Sequence, residues 1–455
     1  MRVVVVGCGK IGETIISSLA KEKHDLLCID SSPEIIKEMQ NTYDVMTICG
    51  NGISYDVLKE ADIDKCELFI AVTGSDEFNM LSCLAAKKMG AKNTVARIRN
   101  SEYNTESLGF MKENLGLSMA INPEKLTAEA LYNLIKLPSA IKVDTFTSRR
   151  FQIVELIVKK GSAIIGETLM GLRKKYAEKF LIAVIQRGKD VFIPNGTMAV
   201  CEGDKIGVVA SAEDTHRVLK SLDFEQKGVK DVMILGGSEI AHYLTEMLVK
   251  ERTAVKIIEK GKERSEKLCE TLSDRVNVVC GDGMSQDILL EEGILSTDAL
   301  VALTGGDEEN ILISFYAMSQ RVPRVISKVN RNELSALAEK LGLDCIVSPK
   351  NIIADILVRY ARALNETVGS KVETLYSLMD GEAEALEFTV MSDFEFTEVP
   401  LKMMKLKPDV LIAGIIRGRH SIIPGGDDVI KSGDKVIVIA KGKSLYSLSE
   451  IIEGR

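Results

Sequence analysis

Three glycines near the start of the chain have the spacing of a phosphate-binding turn. Gly7, Gly9 and Gly12 follow four consecutive valines, and the acid Asp30 stands further along the chain, as the dinucleotide fingerprint requires. The first glycine permits a tight turn, the second lets the backbone approach a pyrophosphate, and the third lets a helix pack close to the strand. An acid at the position of Asp30 accepts hydrogen bonds from ribose hydroxyls and repels a 2′-phosphate. The pattern therefore predicts a dinucleotide site that favours NAD(H) over NADP(H).

Asp30 alone does not distinguish NAD(H) from ATP, ADP or AMP, because all of them carry a free adenosine ribose. Loops at the carboxyl ends of neighbouring strands are expected to complete the site, since ligands of doubly wound sheets bind there. Asn51 follows the third predicted strand, Thr73-Gly74 follows the fourth, and Arg97 lies near the end of the fifth, where it could pair with phosphate. For Asn51 and Arg97 the alternative is an ordinary polar loop residue or a surface ion pair.

The second half of the chain repeats the first. Gly7 and Asp30 have counterparts at one shared offset, Gly236 and Glu259, and the segment 72–79 recurs at 303–310. The later part of each half also matches, since Gly203-Asp204-Lys205 recurs as Gly433-Asp434-Lys435. The chain is therefore predicted to be two copies of a two-domain unit.

The second copy departs from the glycine pattern. Ser238 replaces the middle glycine and Ala241 replaces the third, of which only alanine is tolerated by the fingerprint. The Ser238 side chain points where a pyrophosphate would lie, although its hydroxyl could donate to a phosphate. Glu259 keeps the ribose acid, and Asp282 and Thr304 keep the loop positions. Nucleotide binding in this half and a structural pseudo-site both remain open.

The elements around these residues alternate between strands and helices. Ile11, Ile15 and Leu19 share one helix face, and short apolar runs before and after them have the length of buried strands. The apolar runs of the first half are Val3–Val6, Leu26–Ile29, Val45–Ile48, Leu68–Val72 and Thr94–Ile98. This alternation predicts βαβ units and a parallel sheet.

A smaller β-rich domain is expected after each parallel sheet. Its signature is a hairpin at Phe180–Ile193, repeated at Leu411–Ile423. The predicted fold is therefore α/β, with two tandem copies of a Rossmann-like parallel-sheet N-lobe followed by a small α/β, β-rich C-lobe. The predicted boundaries are 1–140 for the first N-lobe, 141–225 for the first C-lobe, 229–368 for the second N-lobe and 369–455 for the second C-lobe.

Composition excludes several function classes. The net charge of −8 over 455 residues disfavours a nucleic acid partner. No apolar run approaches the ~20 residues of a membrane helix, so no direct membrane insertion is predicted. Because Met1 leads almost directly into the first strand, no signal peptide is expected. The nine cysteines form no Cys-x-x-Cys pair, which favours reduced thiols in a cytoplasmic protein.

No catalytic or metal constellation is recognisable. The four histidines are scattered, and none stands in a metal-ligand spacing or beside the expected position of a nicotinamide. We therefore predict no catalytic residues, no metal site and no enzyme activity. The alternatives are an NAD-dependent oxidoreductase and a soluble nucleotide sensor acting on another partner.

The fingerprint with Asp30, the loop Thr73–Asn79 with its copy Thr304–Asn310, and the tandem repeat together carry a family resemblance. Over essentially its whole length the chain resembles the TrkA family, cytoplasmic regulatory subunits of bacterial and archaeal potassium uptake systems built from RCK (KTN) domains. The resemblance implies NAD(H) or adenine nucleotides as ligands, a homotetramer, and a potassium-translocating membrane partner resembling TrkH. It also implies a cytoplasmic protein, peripheral at the inner face of the cell membrane through that partner.

The resemblance also implies which residues form the two nucleotide sites. The first site would consist of Gly7, Cys8, Gly9, Lys10, Ile11, Gly12, Asp30, Asn51, Thr73, Gly74 and Arg97. The second would consist of Gly236, Gly237, Ser238, Glu239, Ile240, Glu259, Asp282 and Thr304, with Ser238 as its departure from the pattern.

Overall fold

The computed structural model describes residues 1–100, 109, 112–146, 150–224, 227–364, 370–442 and 445–453, without the side chains of 370–372 and 380. The predicted domain boundaries at 225, 368, 369 and 455 lie outside these residues. The chain divides into two compact units, one of Met1–Ala128 with Ser348–Ala361 and the other of Glu129–Val347 with Arg362–Arg455.

The first unit is built on a six-stranded, wholly parallel sheet in the order β3-β2-β1-β4-β5-β6. Val3 to Val6 are at most 2% exposed, because helices cover both faces of a parallel sheet. Its strands are β1 (Arg2–Val6), β2 (Asp25–Asp30), β3 (Met46–Cys49), β4 (Leu68–Ala71), β5 (Asn93–Arg97) and β6 (Met119–Ile121). Its helices are α1 (Lys10–Lys21), α2 (Pro33–Thr42), α3 (Tyr55–Glu60), α4 (Asp76–Lys88) and the first part of α5 (Pro123–Lys136).

The second unit contains a parallel sheet of the same order, β14-β13-β12-β15-β16-β17. Its strands are β12 (Asp231–Leu235), β13 (Ala254–Glu259), β14 (Val276–Cys280), β15 (Ala299–Ala302), β16 (Arg324–Lys328) and β17 (Ile346–Val347). Two helices, α6 (Leu169–Lys175) and α7 (Thr215–Ser221), precede this sheet in the chain. The helices after β12 are α8 (Glu239–Lys250), α9 (Lys262–Thr271), α10 (Gln286–Glu291), α11 (Asp307–Ser319), α12 (Asn332–Lys340) and α13 (Pro349–Leu364). The sixth strand of each sheet was not predicted, because such short strands show no period.

Two antiparallel sheets complete the second unit, in the orders β10-β9-β11-β8-β7 and β18-β19-β22-β20-β21. The first has β7 (Ala140–Thr145), β8 (Phe151–Ile157), β9 (Phe180–Arg187), β10 (Asp190–Phe192) and β11 (Lys205–Ser211). The second has β18 (Ser370–Leu378), β19 (Ala383–Val390), β20 (Val410–Arg417), β21 (His420–Ile422) and β22 (Lys435–Lys441). The two sheets share one apolar core, in which Phe146 and Phe151 pack with Leu378 and Ile437. The predicted α/β fold with β-rich C-lobes is confirmed.

The same arginine–aspartate ion pair stands beside the glycine turn in both antiparallel sheets. Arg187 donates two hydrogen bonds, of 2.7 and 2.8 Å, to the carboxylate of the fully buried Asp204, next to Gly203. Arg417 and Asp434 repeat this pairing at 3.0 and 2.7 Å. A buried carboxylate is tolerated only when it is paired in this way.

Within the described part of the chain, no helix combines the length and the apolar character needed to span a membrane.

Candidate nucleotide-binding sites

The carboxyl edge of the first sheet brings the predicted loops together. Gly7 N donates to Ile29 O (2.9 Å), Gly50 N to Asp30 O (2.8 Å), and Val72 N to Val6 O (2.9 Å). The ends of β1, β2, β3 and β4 are therefore level. The glycine turn, Asp30 and the loop at Thr73 follow at the same edge, where doubly wound sheets bind ligands.

Two of the three glycines are required by the packing of the turn. Gly7 has φ +91°, and a Cβ on it would lie 2.9 Å from Thr73 Cγ2 and 3.0 Å from Thr73 N. A Cβ on Gly12 would lie only 1.9 Å from Gly7 O, so only glycine lets α1 approach β1 this closely. These positions match the structural roles predicted for the first and third glycines.

Gly9 is different, because nothing lies within 4 Å of the position a Cβ would take. It precedes the first residue of α1, Lys10, and no side chain caps the N–H groups of that helix. Free N–H groups and the positive end of the helix dipole thus adjoin open space, an arrangement that suits a phosphate. Among the neighbouring residues, Lys10 is exposed, Ile11 is half-buried and the Cys8 side chain is buried.

Asp30 connects the glycine turn with the end of β2. Its Oδ2 accepts from Cys8 N at 2.7 Å and its Oδ1 accepts from Ser32 N at 2.9 Å. The side chain is half-buried, and each carboxylate oxygen has a second lone pair. The carboxylate is therefore held in place while it can still accept from a ribose hydroxyl.

The Cys8 thiol beside it is no nucleophile. Its hydrogen bond with Cys28, and after that its burial, raise its pKa, so the sulfur stays protonated at neutral pH. The thiol donates to Ile29 O at a sulfur–oxygen distance of 3.7 Å, which is a packing role.

A buried asparagine that the sequence analysis did not single out holds the loop after β4. Asn79 Oδ1 accepts from Thr73 N and Thr73 Oγ1, both at 2.8 Å, and its Nδ2 donates to Arg97 O at 2.9 Å. Asp76 accepts from Arg99 N (2.7 Å) and Asn100 N (2.8 Å). These two side chains clamp the loops after β4 and β5 to each other and leave Gly74 exposed.

The second sheet repeats this clamp. Asn310 Oδ1 accepts from Thr304 N (2.9 Å) and Thr304 Oγ1 (2.8 Å), and its Nδ2 donates to Lys328 O at 2.9 Å. Asp307 accepts from Arg331 N at 2.9 Å. Asn79 and Asn310 are both fully buried. The sequence signal for this role was that the asparagine and the aspartate recur at matching positions of both copies.

Arg97 forms an ion pair rather than pointing freely to the sheet edge. Its Nη2 lies 3.4 Å from Oε1 of Glu124 in the first turn of α5, and the two side chains are 12% and 18% exposed. Burial lowers the pKa of the guanidinium, and the Glu124 carboxylate opposes that shift. Asn51 is exposed and its Oδ1 accepts from Ile53 N at 2.9 Å, which shapes the loop after β3.

The glycine turn of the second sheet differs from that of the first at the start of its helix. Gly236 has φ +96°, and a Cβ there would lie 2.9 Å from Leu303 O. Ser238 is the N-cap of α8, and its Oγ accepts from Ala241 N at 3.4 Å. One helix N–H is therefore satisfied by the serine, which has no counterpart at Gly9. Glu239 is exposed on this turn, whereas Ile240 is buried.

Glu259 is the buried counterpart of Asp30. Its Oε2 accepts from Gly237 N at 2.6 Å and its Oε1 accepts from Gly261 N at 2.7 Å. A Cβ on Gly237 would lie 3.2 Å from Glu259 Oε2 and 2.4 Å from Leu268 Cδ1. A side chain at position 237 would therefore have to displace the ends of the Leu268 and Glu259 side chains.

The loop after β14 carries an ion pair with no equivalent in the first site. Asp282 Oδ2 lies 2.7 Å from Lys260 Nζ, and its Oδ1 accepts from Met284 N at 3.0 Å. This pairing lowers the pKa of Asp282 and raises that of Lys260. The matching positions in the first site are the uncharged Ser31 and Asn51.

Comparison with known proteins places both halves in one family. The family model described as TrkA-N domain matches residues 3–123 and 232–349, and that described as TrkA-C domain matches 153–223 and 386–453. The chain belongs to the TrkA family. The TrkA-N matches contain the two glycine turns and their acids, and the TrkA-C matches contain most of the two antiparallel sheets.

TrkA relatives align over nearly the whole chain. The Trk system potassium uptake protein TrkA homolog of Archaeoglobus fulgidus is 33% identical over 452 residues, covering 99% of this chain and 100% of the relative. TrkA of Vibrio alginolyticus is 29% identical, and the alignment covers 98% of this chain and 97% of that relative. A solved structure titled "GsuK channel bound to NAD" has the same fold, with a TM-score of 0.63 at 16% identity, over 100% of this chain and 79% of that one.

Among the described residues, no group of three or more histidine, cysteine, aspartate or glutamate side chains could hold a metal ion.

Proposed function

We propose that this chain is the regulatory nucleotide-binding subunit of a potassium uptake system, and that NAD(H) or an adenine nucleotide binds at the glycine turn of its first sheet. One observation supports the ligand most directly: the open space at Gly9 adjoins the uncapped start of α1. A phosphate there would receive N–H donors, and Asp30 would receive the ribose. The relatives named as Trk potassium uptake proteins support the role.

We propose a binding role without turnover, because the relatives are named as potassium uptake proteins and not as enzymes. A dehydrogenase needs an acid or base beside the nicotinamide and a pocket for the second substrate. Oxidation of NADH by the purified protein with a small carbonyl compound, at enzyme-like rates, would favour the oxidoreductase alternative instead.

The partner in this proposal is a separate potassium-translocating membrane protein resembling TrkH, on which a homotetramer acts from the cytoplasmic side as a peripheral protein. Assembly needs exposed apolar surface, and the two copies offer it at the same position of the repeat. Leu81 on α4 is 49% exposed, and its counterpart Leu312 on α11 is 61% exposed. Leu312→Asp is expected to reduce the mass of the assembly in light scattering. The choice of partner is tested separately by co-purification. A soluble sensor that acts on another partner would not co-purify with a potassium transporter.

Regulation requires the nucleotide to bind one conformation of the assembly better than another, because a ligand shifts an equilibrium only by its differential affinity. The helices α5 and α13 are the suggested carriers of the change. The division between the two compact units falls inside each of them, between 128 and 129 and between 361 and 362. Shortening either helix without any effect on nucleotide-dependent transport would contradict this role.

The decisive experiment is calorimetric titration of the full chain with NAD⁺, NADH, ATP, ADP and AMP. Gly9→Asp places a carboxylate in the first phosphate position, and Ser238→Asp does the same in the second. Binding that is lost in the first variant and kept in the second identifies the first sheet as the site. No heat from any nucleotide with the unmodified chain would overturn the proposal.

A further inference from the structure

The two sheet edges carry their positive charge differently. In the first, Arg97 lies at the end of β5 and is paired with Glu124, 3.4 Å away. The matching residue of the second sheet, at the same offset as the rest of the repeat, is Lys328 at the end of β16. In sequence, the acid is also replaced, since Asn122-Pro123-Glu124 corresponds to Ser348-Pro349-Lys350.

Lys328 is half-buried and has few protein partners. Among the described residues, no carboxylate lies within 4.0 Å of its Nζ, and its one hydrogen bond is a long one, 3.4 Å to Leu303 O. Burial lowers the pKa of the ammonium, and the charge of Asp307 acts in the opposite direction. An ammonium has three donors, so this group keeps unused capacity for an anion.

The ammonium also lies beside the glycine turn. The carbonyl that it contacts, Leu303 O, is the atom that a Cβ on Gly236 would approach to 2.9 Å. Lys328 Nζ is therefore separated from the turn by a single carbonyl group. On the other side of the turn, the Ser238 hydroxyl has taken one N–H of α8. A phosphate at this edge would be stabilised less by the helix N–H groups than a phosphate at the first site. It would be stabilised more by the charge of Lys328.

We propose that Lys328 is the specificity-determining residue of the second site and selects a nucleotide that ends in a free phosphate, such as a nucleoside di- or triphosphate, over a dinucleotide. A terminal phosphate, which is joined through one bridging oxygen, carries about −1.5 to −2 charges at pH 7, whereas each phosphate inside a dinucleotide is joined through two bridging oxygens and carries a single charge. A compact, unneutralised ammonium attracts the former more strongly. This inference rests on the proposed function, in which a nucleotide binds at a glycine turn of the chain.

The test uses the full chain with Gly9→Asp, so that only the second site can bind, and compares ADP with NAD⁺ by calorimetry. Without further change, ADP is expected to bind more tightly than NAD⁺. Lys328→Met keeps the aliphatic stem and removes the charge. It should lower the affinity for ADP by about tenfold or more, as expected for the loss of one charge-assisted hydrogen bond. NAD⁺ should change little, and Lys328→Arg should retain the preference for ADP.

Lys267→Met on the exposed face of α9 is the matched control, and thermal unfolding without ligand checks that each variant folds. Tighter binding of NAD⁺ than ADP, or equal losses of both ligands in Lys328→Met, would overturn the inference and leave nucleotide binding by the second half intact. Absence of all binding in the Gly9→Asp chain would overturn nucleotide binding by the second half, and this inference with it.

Discussion

Glu124 Oε1 lies 3.4 Å from Arg97 Nη2, and this contact joins the edge of the first sheet to the first turn of α5. The pair is imperfect. Arg97 Nε and Glu124 Oε2 are both buried without a hydrogen-bond partner among the described residues. A nucleotide phosphate at the sheet edge would compete with Glu124 for the guanidinium. On the proposed function, the pair would couple occupancy of the first site to the start of α5.

Glu124→Gln is expected to increase the affinity of the first site for ADP by about two- to fivefold, because removing a partly exposed ion pair worth up to ~1 kcal/mol frees the Arg97 charge for phosphate. The same change should lower the thermal midpoint, since the guanidinium stays buried without an opposing charge. Calorimetry and thermal unfolding measure the two effects. Glu129→Gln, at an exposed position of the same helix, should change neither. Unchanged ADP affinity in Glu124→Gln would show that the pair does not compete with the ligand.

Gly9→Asp and Gly12→Ala should separate binding from folding. Gly9 has ordinary φ (−65°) and open space around its Cβ position, so Gly9→Asp should fold normally. Its carboxylate should weaken nucleotide binding at the first site by about 100-fold or more, because like charges in contact cost several kcal/mol. Gly12→Ala should lower the free energy of unfolding by about 1–3 kcal/mol or more, since its Cβ would meet Gly7 O. Circular dichroism melts together with titration distinguish them, and a Gly9→Asp chain that binds NAD⁺ normally would contradict the assignment.

Asn79→Ala and Asn310→Ala should destabilise the two parallel-sheet lobes to a similar degree, about 1–3 kcal/mol each, because each removal leaves buried backbone groups without partners. Only Asn79→Ala should also weaken binding at the first site, through loss of the position of Thr73 and Gly74. Differential scanning calorimetry and titration test this. Binding at the first site that is equally impaired by both substitutions would contradict a local clamp.

Glu155 predicts a pH dependence. It is 2% exposed, accepts from Met379 N at 3.2 Å, and its pKa is raised by burial, although Lys142 and Lys205 act against this and Asp144 acts with it. A carboxyl group with a raised pKa in the folded state binds more protons when folded than when unfolded. The stability it contributes is therefore present below the unfolded-state pKa and is lost as the pH rises through the folded-state value.

Glu155→Gln removes this titration, so the thermal midpoint of the unmodified chain, relative to that of the variant, should rise as the pH falls from 7 toward 5. Scanning calorimetry across that range measures the difference. The exposed Glu202→Gln should give a difference that does not depend on pH. A pH-independent difference for Glu155→Gln would show that the carboxyl group titrates normally.

Local patterns were sufficient for much of the site. Gly7, Gly12 and Asp30 have roles that follow from chain geometry alone, because a strand, a tight turn and a helix constrain their residue types. The parallel sheets and the β-rich lobes follow from the alternation of apolar runs, and the repeat offset shows that the unit occurs twice. The departure at Ser238 was also visible, although its capping of α8 was not.

Contacts between residues far apart in sequence were not predictable in this way. Asp76 and Asn79 recur in both copies of the repeat, but the groups that they hold could not be predicted, because the clamp depends on β5 lying next to β4. The partner of Arg97 comes from α5, on the far side of β6 in the chain. The space at Gly237 is limited by Glu259 and Leu268, which come from β13 and α9.

The sequence by itself determined the fold class, the number of copies and the positions of the two glycine turns with their acids, because these depend on local periodicity and on residue types that one conformation demands. Only the tertiary structure decided which partner the basic side chain at each sheet edge has. Arg97 is neutralised by Glu124, whereas Lys328 contacts a carbonyl beside the Gly236 turn. Electrostatic interaction depends on distance and burial, and neither can be read from the spacing of residues along the chain.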